Sequence, residues 1–390
     1  MSRFSARTGF SRTWNPLAQA LAERRARGLP LLDLTETNPT RVGLPTPEPA
    51  LLASPEALGY APEPQGLLSA REAVAAHLAR RGARVSPEHL VLSASTSESY
   101  SWLFKLLCEP GDNVLIPAPS YPLFEYLTRL EGVEARPYRL PRGHGFCLDV
   151  EEVAAARDER TRAVLVVNPG NPTGHYLHEG ELEALGTLCV QEGLALISDE
   201  VFSDFAWDEE AGRVPTVAGR ELPMLTFSLS GLSKVAGLPG LKLGWTHVGG
   251  PDTLREEALA RLELVADTYL PVNTPVQLAL PGLLAHAPRF QEALLARVKE
   301  NRRRLLQARS REALWDVLPA HGGWSTVLRI PLALGEEPTC LALLDEGVAV
   351  QPGYFYDFPS AAFLVLSLLP PPDVFAAALA PLARVLDRSG

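Results

Sequence analysis

Apolar positions along this chain recur in two rhythms, and the changes between them outline its elements. Around Leu17, Ala20 and Leu21 they return every three to four residues with charges opposite, which predicts a helix over 14–27 ending at Gly28. Leu31 to Leu34 reads as a short strand, and the proline-rich stretch 35–49 as a loop. The chain is irregular again over Tyr60–Gly66, before a helix predicted from Ser69 to about Arg81 and stopped by Gly82. Apolar runs at 90–92, 114–116, 163–167 and 194–197 then read as buried strands, with helical spacing after the first three at 97–107, 121–130 and 179–191. This alternation implies a mostly parallel sheet covered by helices. A further run, 222–229, ends in a Ser/Gly cluster. Beyond Pro288 an arginine-rich helical segment reaches about Arg309, followed by strand-like pieces at 326–330, 348–351 and 363–368 and a final helix from about Asp373. The expected fold class is α/β: a mostly parallel sheet in a large domain, with a smaller α+β domain. The expected division places an N-terminal arm and part of the small domain at 1–44, the large domain at 45–286 and the C-terminal small domain at 287–390.

Composition removes several function classes. The 390 residues carry a formal charge of -10, and nucleic-acid binding needs a basic face, so no nucleic-acid partner is expected. No apolar stretch reaches membrane-spanning length, which argues against a membrane partner. The cysteines at 108, 147, 189 and 340 show no metal-type spacing. Reduced thiols in a cytoplasmic protein, with no bound metal, are the expectation. The first fourteen residues are rich in Arg and Ser and free of acids, and read as an N-terminal arm.

Lysine is the rare cation here: only Lys105, Lys234, Lys242 and Lys299 interrupt the arginines. Lys234 falls just past the 222–229 run, at the carboxyl end of a strand, where ligands of parallel sheets collect. An amine desolvated there, with Lys242 as a second cation, loses its proton more easily and can form a Schiff base, which a guanidinium cannot. The competing reading is a surface lysine in a glycine-rich loop. Four other stretches also follow predicted strands. Ser95, Thr96 and Ser97 open a helix, either as a phosphate seat or as a plain cap. Tyr121 stands between prolines, either as a ring to stack on a planar ligand or as a core tyrosine. Asn171 lies in Asn168–Gly174, a turn by composition, where its amide could donate to a phenolic oxygen. Asp199 ends an apolar strand, and either caps the next helix or pairs with a cation such as a protonated pyridine nitrogen.

Together these residues resemble the fold-type-I pyridoxal-phosphate enzymes, in particular the class I/II aminotransferase family, over nearly the whole chain. Tyr60–Gly66 with Arg71, the Ser93–Glu98 turn, Tyr121, Asn171–Gly174, Asp199–Val201 and Ser233–Lys234 follow in the family's order. The resemblance implies an enzyme, a transaminase of amino acid metabolism that uses pyridoxal 5′-phosphate to move an amino group between an amino acid and a 2-oxo acid. It implies that Lys234 holds the cofactor as a Schiff base and carries the substrate's proton, that Asp199 pairs with the pyridine nitrogen, that Asn171 bonds the phenolic oxygen, and that Tyr121 stacks on the ring. Ser95, Thr96, Ser97, Ser230 or Ser233, and Lys242 would hold the phosphate. Tyr60 would reach the neighbouring subunit's phosphate in a homodimer. Three departures accompany it. Phe202 stands where the family usually has a tyrosine, Lys242 where it has an arginine, and Gly231 where it has a serine. Near Val365 the family ordinarily places the arginine that clamps the substrate carboxylate; Arg41, favoured here, and Arg329 are the candidate stand-ins. A lyase or decarboxylase on the same fold, or a non-catalytic regulatory relative, are the alternatives.

Overall fold

Thr161–Val167 and Ala195–Asp199 are buried almost throughout, as strands covered on both faces must be. They lie at the centre of a seven-stranded sheet among the described residues, with the order 90–93, 244–249, 226–231, 195–199, 161–167, 113–118, 134–139. The computed structural model describes residues 5–10, 13–141, 145–359 and 362–387. Part of the expected N-terminal arm, residues 1–4 and 11–12, lies outside them. The five strands from 226–231 to 134–139 run parallel, and Gly244–Gly249 is antiparallel to both of its neighbours. The fold is therefore α/β with a mostly parallel central sheet, as the alternating pattern predicts.

Several elements were not visible in the pattern. Glu134–Arg139 is polar and contains Pro137; it survives as a strand because it is the outermost one, where a missing N–H costs no ladder bond. The arginine-rich helix begins well before Pro288, running over Thr274–Ala308 through both Pro281 and Pro288. Its buried row of Val276, Leu280, Leu283, Leu284, Ala287, Phe290, Leu294 and Val298 supplies the packing that overrides the local cost of proline. Asp252–Tyr269 and Glu336–Asp345 are further helices.

A second sheet pairs Gln351–Pro352, Phe363–Ser367, Ser325–Arg329 and Asp316–Val317, all antiparallel. Leu32–Asp33 pairs in parallel with Val348–Ala349. Leu17 and Leu34 share one apolar core with Leu294, Leu364 and Phe375, so the N-terminal segment packs among C-terminal elements.

Glu200 fastens the strand ends at the centre of the large sheet. It is fully buried and accepts hydrogen bonds from Ser198 Oγ (3.0 Å), Ser228 Oγ (2.7 Å), the Val217 N–H (2.7 Å) and the Thr216 hydroxyl. Burial pushes its carboxyl above the usual range, against the Thr216, Val217 and Ser228 donors and the charge of Arg81. Glu200→Ala leaves all four hydrogen-bond donors without their acceptor, and is expected to cost about 3 kcal/mol of stability. Urea denaturation monitored by tryptophan fluorescence would measure it.

Candidate active site

The carboxyl ends of the central strands open into a cavity of about 460 Å³. Ser95, Thr96, Ser97, Tyr121, Asn171, Asp199, Phe202, Ser233, Lys234 and Lys242 all line it, although they lie up to 147 residues apart (242 minus 95).

Asp199 is the last residue of Ala195–Asp199. Tyr100 donates its hydroxyl to Oδ2 at 2.7 Å, and the Val201 N–H reaches Oδ1 at 3.1 Å. Burial pushes the Asp199 carboxyl up, while Tyr100, Val201 and the charge of Lys234 favour its anion. Turns, not a helix, follow directly at 201–204, so the helix-cap reading does not apply.

Lys234 sits on the single turn Leu232–Val235, directly after the Thr226–Gly231 strand. Its Nζ lies 5.7 Å from the centre of the Phe202 ring and 5.6 Å from that of Trp324. Burial lowers the ammonium's pKa and the Asp199 carboxylate opposes the shift, so this amine gives up its proton more readily than a surface lysine. The surface-lysine reading is thereby excluded.

Ser95 caps a helix and also faces the cavity. Its Oγ accepts from the Glu98 N–H at 3.2 Å, capping the Thr96–Leu107 helix, and the residue lines the cavity. That helix therefore presents its N-terminal turn, with its uncompensated N–H groups, to the cavity. Tyr121 is 46% exposed and is not a core residue. The strand end that carries Lys234 packs closely on this turn through two glycines. Gly231 faces Gly244 in the antiparallel register. A Cβ on Gly231 would stand 2.9 Å from the Leu243 carbonyl oxygen, and one on Gly244 would stand 3.1 Å from the Thr96 nitrogen.

Other expected residues lie elsewhere. Ser230 is buried without lining the cavity, and its Oγ has no hydrogen-bond partner among the described residues. Tyr60 is 82% exposed and outside the cavity. Arg41 does not line it either; its side chain is 73% exposed and 3.9 Å from Glu36. Arg329 is paired at 2.5 Å with Asp316 on the outer edge of the small sheet. The Val365 position is 1% exposed.

Tyr100, Thr37, Trp324, Ser325, Gln351 and Tyr356 complete the wall and were not singled out from the sequence. Tyr100 carried a signal, since it lies one helical turn after Thr96 and so on the same helix face. The others arrive from the small sheet and the N-terminal loop, which no local pattern connects to the strand ends. Away from the cavity, Cys147, His175 and Glu181 bring their donor atoms within 4.8 Å of one another. The thiol faces His175 Nδ1 at 3.6 Å and the carboxylate faces Nε2 at 3.5 Å, so they address opposite edges of the ring. That is the geometry of a polar chain more than of a shared ion.

A desolvated amine and a buried carboxylate thus stand together at the strand ends of the large sheet. Residues 29–368 match the family model of class I and II aminotransferases, and the chain belongs to that family. The aspartate/prephenate aminotransferase of Thermus thermophilus is 30% identical over 382 residues, 95% of each chain. The alanine aminotransferase of Mycobacterium tuberculosis is 30% identical over 286 residues, covering 72% of this chain and 66% of the relative. Among solved structures, Thermus thermophilus aspartate aminotransferase with maleate superposes with a TM-score of 0.81 at 27% identity, covering 99% of this chain and 100% of the other. The alanine aminotransferase of Pyrococcus furiosus, at 22% identity, shares the fold with a TM-score of 0.87 over 98% of this chain and 99% of its own. The protein is thus an aminotransferase, with an amino acid and a 2-oxo acid as its substrate classes, in a family that depends on pyridoxal phosphate. No helix among the described residues is long and apolar enough to cross a membrane.

Proposed function

We propose that the cavity holds pyridoxal 5′-phosphate and that Lys234 is its Schiff-base lysine. The observation that carries this reading is the pairing, in one cavity, of an amine desolvated between two aromatic rings with a buried carboxylate. The donor set fits the group. A helix N-terminus, Ser95, Thr96, Ser97, Ser233 and Lys242 suit a phosphate dianion; Asn171 suits a phenolic oxygen; Tyr121 offers a ring face. When bound, the cofactor supplies an aldehyde that captures amines and a cationic ring that draws electrons from the bond being broken.

The chain's own residues do the rest. Lys234 Nζ takes up and returns the substrate's proton, for which a lowered pKa suits it. Asp199, held in orientation by Tyr100 and the Val201 N–H, would supply the negative charge that pairs with the cofactor's ring nitrogen. Phe202, Trp324, Leu238 and Leu243 make the walls apolar and limit water. We further propose a cytoplasmic homodimer in which the exposed Tyr60 reaches the neighbouring site, with residues 45–286 as the large domain and 1–44 with 287–390 as the arm and small domain. The test is reconstitution with pyridoxal phosphate followed by a panel of amino acids, scored by single-turnover spectral change and by the 2-oxo acid released. The names of the relatives put alanine, glutamate and aspartate first on that panel. No spectral change with any donor would overturn the reading.

Phe202 gives a sharper check, because it cannot donate to the phenolic oxygen. Phe202→Tyr would add a donor toward that oxygen and lower the negative charge it carries, which favours loss of the proton nearby. The pH midpoint of the visible absorption is therefore expected to fall in the tyrosine variant. A spectrophotometric titration with an equal or higher midpoint would count against this placement.

A further inference from the structure

We propose that Gln351, with Ser325 as a further donor on the same face of the small sheet, receives the substrate's α-carboxylate through neutral hydrogen-bond donors, so that this enzyme lacks a guanidinium clamp. The inference rests on the cavity being the transamination site. Each amino acid or 2-oxo acid brings a carboxylate into that cavity, where an unpaired charge is costly. Among the described lining residues the only cations are Lys234 and Lys242, and both have proposed roles toward the cofactor.

The wall contributed by the small sheet supplies donors instead. Gln351, Val365 and Val327 stand directly opposite one another on three neighbouring strands, so their side chains share one face. Ser325, two residues before Val327, joins them by the strand's period of two. Val327 and Val365 belong to an apolar cluster with Phe358 and Phe363, whereas Gln351 and Ser325 line the cavity. The row is therefore apolar at its centre and polar where it meets the cavity.

Gln351 is also oriented. The Tyr356 hydroxyl donates to its Oε1 at 2.5 Å, which fixes the amide and leaves Nε2 with no hydrogen bond among the described residues. Its two N–H groups are free donors on this wall. Ser325 Oγ likewise makes no hydrogen bond among the described residues, and Trp324 Nε1, beside it, is buried without a partner. Neutral donors hold a carboxylate through charge-assisted hydrogen bonds, but they also accept a carboxamide. A site of this kind separates an acid from its amide weakly, whereas a buried ion pair separates them strongly.

The test uses the holoenzyme with propionate and propionamide as probes, titrated by calorimetry at constant ionic strength. Their dissociation constants are expected to agree within about tenfold. Gln351→Glu keeps the shape and sets a negative charge against the ligand; it is expected to weaken propionate by about 100-fold or more and propionamide by less than about threefold. Gln351→Leu is expected to weaken propionate about tenfold. In Gln351→Glu a purely structural role would move both probes together, and that result would overturn the assignment. So would propionate binding about 1,000-fold more tightly than propionamide with both variants leaving the ratio unchanged, since a cation from elsewhere in the assembly would then hold the carboxylate. The visible spectrum of each holoenzyme reports cofactor uptake independently, so a failure of Gln351 and a failure of the cofactor reading are distinguishable.

Discussion

Lys234→Ala is expected to lose transamination by about 10⁴-fold or more while the protein stays folded, because no second amine is placed to replace Nζ. Lys242 shares the cavity, but its position beside the 95–97 turn suits a phosphate partner. Lys105 is engaged outside it, with Glu131 at 2.6 Å and Ser101 at 2.7 Å. Removing Lys234 also removes a charge that favours the Asp199 anion. The measurement that checks the chemistry is borohydride reduction of the cofactor-loaded protein followed by peptide mass analysis. The cofactor's mass should appear on the peptide containing Lys234. Label on Lys105, Lys242 or Lys299 would refute the assignment whatever the activity of the alanine variant.

Asp199→Asn should have the next largest effect, a fall in kcat of about 100- to 1,000-fold. The substitution keeps the side chain's size and removes the negative charge, while its single amide oxygen can accept from only one of Tyr100 and the Val201 N–H. Equilibrium dialysis should show weaker pyridoxal phosphate binding, which gives a readout apart from turnover. Tyr100→Phe is the companion variant. Tyr100 acts on Asp199 through a single 2.7 Å hydrogen bond, so its loss should cost about tenfold or less in kcat. An asparagine variant within tenfold of the wild type would remove Asp199 from the mechanism.

The candidate site was legible where its chemistry is written into short stretches at strand ends. Ser95, Asn171, Asp199 and Lys234 each follow an apolar run that could be read as a strand, and the parallel sheet does the work of bringing them together. Gln351 and Tyr356 carry no such mark. Gln351 reaches the cavity only through its register opposite Val365, a tertiary relation between strands far from the lysine. The same limit explains the arginine expectation. Arg41 follows a loop whose sequence suits a site mouth, but the residue's direction is set by the Pro39–Arg41 turn, and the guanidinium faces Glu36 and solvent. In the fold, local propensity failed where packing outweighed it, as at Pro281 and Pro288 inside one helix. It also failed where a strand lacks the apolar alternation of a covered surface, as at Glu134–Arg139.

The Gly231–Gly244 contact bears on how this cavity could have changed over evolutionary time. The related enzymes are expected to carry a serine at the position of Gly231. Here that residue cannot simply be restored, because its Cβ would press on the main chain at Leu243 and Gly244, where no side chain can swing aside. A reversion would first need the backbone at 243–244 to move, and with it Lys242 and the approach of Gly244 to Thr96. The departure is in that sense entrenched. Gly231 and Gly244 constrain one another's replacement, so a side chain introduced at either alone would read as damaging although a joint change of the two segments need not.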